Sequence, residues 1–135
     1  MYWKLSPAYA LRSWRDKPYA LLRRPEGVAY EVTAEDFALL KCCDGTVPIP
    51  RRPSLSAMEK KRWIEPCETP TPIAEDQRLV QYDVAQFDSV NIAITGYCNY
   101  HCRHCFMAKD SAAPRSEFTL PQWEKILDDC VNAGI

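Results

Sequence analysis

Three cysteines stand close together in Cys98-Asn99-Tyr100-His101-Cys102-Arg103-His104-Cys105, separated by three and then two residues. Thiolates at this spacing reach one small metal centre from a single loop, without help from distant parts of the chain. An iron–sulfur cube has four irons, so three protein thiolates leave one iron open to an outside ligand. A ferredoxin that only carries electrons closes all four. The same trio completed by His101 or His104 would instead make a closed Cys3His zinc tetrahedron. Zinc folds more often use paired Cys-x2-Cys units, and no second pair occurs in this sequence. Arg103 is either solvated or placed to moderate the negative charge of a cluster.

The flanking residues read as the elements that would hold such a loop. Val90-Asn91-Ile92-Ala93-Ile94-Thr95 is an apolar run of strand character, and Thr95-Gly96-Tyr97 turns the chain into the first cysteine. Beyond the loop, 108–116 is polar and irregular. Thr119-Leu120-Pro121-Gln122 then starts a helix, with Thr119 as cap, Pro121 in the first turn and Gln122 returning a bond to the cap. Trp123, Ile126, Leu127, Cys130 and Val131 form an apolar stripe at helical spacing, which Gly134 ends. Strand, loop, helix is the opening unit of a parallel α/β barrel, whose chemistry sits at the C-terminal ends of its strands.

With this motif and context the chain resembles the radical S-adenosylmethionine (SAM) superfamily. The resemblance implies that Cys98, Cys102 and Cys105 hold a [4Fe-4S] cluster and that SAM chelates the fourth iron through its amino and carboxylate groups. One electron, from a donor such as a ferredoxin or flavodoxin, would cleave SAM to methionine and a 5′-deoxyadenosyl radical that takes a hydrogen atom from the substrate. The family often has an aromatic residue just before the third cysteine, near the adenine. Here the position is His104, which becomes the candidate adenine contact. No general acid, general base or radical-relay residue can be assigned.

Composition sets the bounds. At 135 residues the chain suits one ordinary domain or two small ones, whereas a full eight-unit barrel needs about 250 residues. Residues 89–135 are therefore expected to be the incomplete start of a core domain, truncated at Ile135. The N-terminus lacks the basic segment and apolar run of a secretory signal, and no stretch approaches the roughly 20 apolar residues of a membrane span. A cytoplasmic protein with no membrane partner is expected. Seven cysteines in that setting argue for reduced thiols or metal rather than disulfides, and Cys42, Cys43, Cys67 and Cys130 read as small buried or half-buried residues. Twelve basic residues face seven acidic ones before Ile64, and five face eleven from there on. The asymmetry supports two units, the first suited to an acidic partner.

In the first unit, Ala8 to Trp14 and Pro18 to Arg23 read as a hairpin. Pro25-Glu26-Gly27 makes the next turn, and Val28 to Val32 reads as a third strand with Val28, Tyr30 and Val32 on one face. Thr33 is expected to cap a helix whose Phe37 and Leu40 cover the sheet, with Gly45 as its left-handed stop. Pro48, Pro50 and Pro53 exclude a regular helix. Ser54 or Ser56 would then cap a second one running through Leu55, Met58 and Arg62, and Trp63-Ile64-Glu65-Pro66 closes the unit.

Three strands, a helix ending in Cys-Asp-Gly and a later helix ending near Trp-Ile-Glu-Pro resemble the PqqD-like peptide-recognition domain fused in front of many peptide-modifying radical SAM enzymes. The proline-rich stretch Thr46 to Pro53 departs from that pattern, so the helical part is expected to be abbreviated. The resemblance implies that a leader peptide adds as a strand to residues 28–32 and packs against residues 55–62. A winged-helix DNA-binding reading would use Arg51, Arg52, Lys60, Lys61 and Arg62, but the recognition helix it needs is not evident, so no nucleic-acid partner is expected.

The expected architecture is thus an α+β, winged-helix-like domain over 1–68, a linker over 69–88, and over 89–135 the first β-loop-α unit of a partial, TIM-like α/β barrel. The expected function is radical SAM modification of a ribosomally made peptide. The alternatives are a non-peptide substrate, a zinc-binding adaptor, or a leader-peptide chaperone without redox chemistry.

Overall fold

The computed structural model describes residues 1–92, Arg103 and 117–135. Among them the chain is a small α+β protein with two sheets and three helices. The strands are β1 (Tyr2–Leu5), β2 (Tyr9–Ser13), β3 (Ala20–Arg23), β4 (Val28–Glu31), β5 (Asp44–Pro48), β6 (Ile64–Cys67) and β7 (Val80–Gln81). The helices are α1 (Ala34–Cys42), α2 (Pro53–Lys60) and α3 (Leu120–Asn132). No described helix is long and apolar enough to cross a membrane.

One sheet has the order β4-β3-β2-β7 and contains the expected hairpin, with Tyr9 opposite Arg23 and Arg12 opposite Ala20. The other has the order β5-β1-β6. Its central strand β1 buries Trp3 and Leu5 in alternation, and the Trp3 indole N–H donates to the Ile49 carbonyl. Neither β1 nor β6 was expected as a strand. They pair antiparallel from Tyr2↔Cys67 to Leu5↔Ile64, and because β6 lies at an edge it tolerates Pro66, which cannot donate to a ladder. Trp3, Leu5, Leu11, Leu21, Phe37, Leu40, Leu55, Met58 and Ile64 form one continuous core between the sheets and helices.

α1 forms as its cap predicts. The Asp36 N–H donates to the Thr33 hydroxyl at 3.1 Å, and Phe37 and Leu40 are buried. Its end differs from the expectation, because Cys43 is the C-cap and Gly45 already belongs to β5. The ladder slips between Tyr2↔Pro48 and Lys4↔Asp44, so β5 bulges there. The φ of 78° at Gly45 serves that bulge, where an added Cβ would fall 1.9 Å from the Thr71 carbonyl oxygen.

α2 also starts and stops elsewhere. Pro53 occupies its first turn after Arg52, which leaves Ser54 and Ser56 inside the helix instead of capping it. Arg62 lies beyond it with φ 58°. Trp63 N–H bonds to the Met58 carbonyl and Arg62 N–H to the Glu59 carbonyl, the paired bonds of a Schellman stop.

The segment expected as a linker carries structure of its own. Thr71 N–H and Ile73 N–H donate to Gly45 and Asp44 carbonyls, a 3₁₀ turn covers Glu75–Gln77, and β7 pairs parallel to β2. The buried Gln77 amide donates to the Ser6 and Tyr9 carbonyls at 2.9 and 3.0 Å. The Arg12 guanidinium reaches the carbonyls of Asp76 and Arg78, both at 3.0 Å. One guanidinium, from Arg12 of β2, and one amide, from Gln77, thus fasten a segment that little apolar periodicity announces.

Candidate functional site

Cys98, Cys102, Cys105, His101 and His104 lie outside the described residues. Of the motif, only Arg103 is described, exposed and in a turn. Leading in, Val90, Asn91 and Ile92 are exposed and carry no strand, while 93–95 lie outside the described residues. On the far side, α3 is built as expected: the Thr119 N–H donates to Gln122 Oε1 at 2.8 Å. Its stripe is only half-covered, since Trp123, Ile126 and Cys130 are partly buried while Leu127 and Val131 are exposed.

The remaining thiols do not gather. No group of three metal-ligating side chains occurs among the described residues. Cys43 is buried at the end of α1, and burial, helped by the neighbouring Cys42 and Asp44, pushes its thiol up to about 12 against the pull of Arg52. Such a thiol is a poor ligand because it holds its proton. Cys42 is exposed rather than buried, and Cys67 and Cys130 are half-buried. As donors for an iron–sulfur cluster, the closely spaced trio fits by residue type and spacing, whereas the other four do not gather and Cys43 keeps its proton.

The second candidate feature is the open edge of β4, the outermost strand of its sheet. Pairing parity fixes which of its backbone groups are free. Val32 N–H bonds to the Tyr19 carbonyl and, on the other flank of β3, Arg24 N–H bonds to the Ala8 carbonyl. In an antiparallel ladder the bonded pairs recur every second residue, so Val28, Tyr30 and Val32 turn their N–H and C=O groups toward β3. Ala29 and Glu31 turn theirs outward.

The side chains repeat the message. Val28, Tyr30 and Val32 share the face of Leu21 and Leu11, which looks into the core. Only Val32 is buried, whereas Val28 and Tyr30 are 46 % and 42 % exposed, with no described strand beyond them. The Arg23 guanidinium interacts with Tyr30, and nearby Tyr19 packs on Phe37 with ring centroids 5.6 Å apart. Among the described residues the edge therefore offers two donor–acceptor residues without a strand partner and an uncovered apolar shelf.

The helix expected to assist is differently placed. Leu55 and Met58 are fully within the core, so the exposed residues within 55–62 are Ala57 and the polar end at Lys60, Lys61 and Arg62. The Lys61 ammonium lies 4.3 Å from the centroid of the Trp63 ring. Sequence reading missed the pairing parity of β4, which needs the partner strands on both sides of β3. The imperfect alternation of Tyr82, Val84 and Phe87 does point to packing on a neighbour, and Tyr82 stacks on Trp14; that Trp14 is the neighbour is not legible in the sequence. No family model, curated protein or solved structure matches the chain.

Proposed function

We propose that this chain carries the cluster-binding loop of a radical SAM enzyme together with a module that recognises a ribosomally made precursor peptide. The observation that carries the reading is the spacing Cys98-x3-Cys102-x2-Cys105, three thiolates that leave one iron of a [4Fe-4S] cluster open to SAM. When bound, that pair supplies one-electron reductive cleavage of SAM to a 5′-deoxyadenosyl radical. The protein's share is to hold the three sulfurs, with His104 as candidate adenine contact, and to bring the peptide near. A ferredoxin or flavodoxin would serve as electron donor.

Peptide recognition is supported by the edge of β4. A strand laid against Ala29 and Glu31 would pair with the outward backbone groups and cover Val28 and Tyr30, the physical logic of strand addition. The polar end at 60–62 is available for a further contact. An acidic leader would suit it.

Anaerobic reconstitution tests the cofactor reading. The expected product is brown, contains iron and acid-labile sulfide, and shows a reduced-cluster resonance that changes when SAM is added. Cys98→Ala, Cys102→Ala and Cys105→Ala should each abolish it. Colourless protein containing zinc alone would end the proposal.

A further inference from the structure

A cleft of about 250 Å³ opens between the end of α1, the start of β5 and the segment that precedes β7. Its apolar lining is Leu11, Ile73 and Leu79, and its polar lining is Lys41, Asp44, Thr46 and Arg78. It lies on the β2–β7 side of the four-stranded sheet, away from the open edge of β4.

The polar groups are not equivalent. Asp44 is already satisfied, accepting the Thr46 N–H at 2.8 Å and the Thr46 hydroxyl at 2.7 Å. Burial would raise its carboxyl, but those bonds, the Val47 amide and the charge of Arg78 outweigh it and hold the group below its ordinary range. Lys41, in the last turn of α1, has no ion-pair partner among the described residues. Arg78 meets Glu75 at 3.4 Å through Nε. Among the described residues Lys41 is therefore the lining cation without an acidic partner, while the charge of Arg78 is shared with Glu75 and Asp44.

Size and field narrow the occupant. Sites for drug-sized ligands span about 300–1,000 Å³, so this cleft suits one short branched chain and not a nucleotide-sized cofactor. The carbonyl end of α1 and the ionised Asp44 disfavour a dianion, while one carboxylate matches the charge of Lys41, with the Arg78 guanidinium also on the lining.

We propose that this cleft binds an aliphatic monocarboxylate, with its branched tail on Leu11, Ile73 and Leu79 and its carboxylate at Lys41 and Arg78. The same chemistry is presented by a free short-chain acid and by the C-terminal leucine of a peptide.

Isotope-labelled full-length chain titrated with isocaproate, with isocaproamide, and with acetyl-glycyl-leucine as free acid and amide tests this. Saturable shifts of the Leu11, Ile73 and Leu79 amides are expected with the acids. The neutral amides should bind about threefold to fivefold more weakly, the scale of an exposed ion pair. Lys41→Gln and Arg78→Gln, both at exposed positions, should together erase the preference. Tighter binding of isocaproate identifies a free acid as the occupant, and tighter binding of the peptide acid identifies a chain terminus. No saturable shift, equal binding of acid and amide, or a preference that survives both substitutions would overturn the proposal.

Discussion

The Trp14 indole stacks on the Tyr82 ring, with centroids 5.4 Å apart and planes 15° from parallel, and donates its N–H to the Ala133 carbonyl at 3.2 Å. One side chain after β2 therefore joins the hairpin, the segment following β7 and the end of α3. Gly134 completes the contact with φ 80°, and an added Cβ there would come 2.7 Å from the Tyr82 ring. Trp14→Phe keeps a ring but removes the donor. It should cost about 0.5–1.5 kcal/mol and speed amide hydrogen exchange at the C-terminal turn of α3. Gly134→Ala should do the same more severely, because it adds a left-handed backbone penalty of about 1–2 kcal/mol. Unchanged exchange in both variants would show that the contact does not hold α3.

Ala29→Pro separates peptide pairing from folding. The Ala29 N–H points away from β3, and proline is tolerated at an edge strand when its missing donor faces solvent. The variant should melt within about 1 kcal/mol of the parent, as surface changes do. It should nevertheless lose most affinity for any precursor peptide that adds to β4. Tight peptide binding by a folded Ala29→Pro protein would place the peptide elsewhere.

Gly45→Ala should be among the most damaging single-methyl changes in the chain. Its Cβ would meet backbone, not a yielding side chain, and the residue has positive φ. A loss of about 2–4 kcal/mol is expected from the strain together with disruption of the Thr71 N–H bond to the Gly45 carbonyl. Urea denaturation measures it.

Arg62→Gly should act in the opposite direction. The Schellman stop needs a left-handed residue, and a side chain there costs about 1 kcal/mol that glycine avoids. A higher midpoint of thermal unfolding is expected, with the bonds of Arg62 and Trp63 to α2 retained.

Alkaline stability should report Cys43. Its folded thiol is raised from 9.0 to about 12, so between those values the unfolded chain releases a proton that the folded chain keeps. Stability therefore falls as pH rises through that window. Cys43→Ala should flatten this alkaline loss in denaturation curves. Alkylation at mildly basic pH, read by peptide mapping, should label exposed Cys42 well before buried Cys43.

The parts legible in the sequence are those fixed by neighbours in the chain. The Thr33 cap, the burial of Phe37 and Leu40, the β2–β3 hairpin and the Thr119–Gln122 cap each depend on signals within a few residues. β1 and β6 depend on each other across the length of the unit, and each is only four residues long. Pro66 further disguised β6 by looking like a terminator. The same holds for the candidate sites. Three cysteines announce themselves by spacing, whereas the free edge at Ala29 and Glu31, and the cleft at Lys41 and Arg78, exist only after distant strands have come together.

Gln77 gives the fold a practical boundary. Its one amide ties the Ser6 and Tyr9 carbonyls from some seventy positions away, and Ile73 and Thr71 latch onto β5 beside it. Transplanting the four-stranded sheet into another protein by cutting at Glu68 would strip those carbonyls of their donors. A graft that keeps the polypeptide through Gln81 carries its own fastening with it.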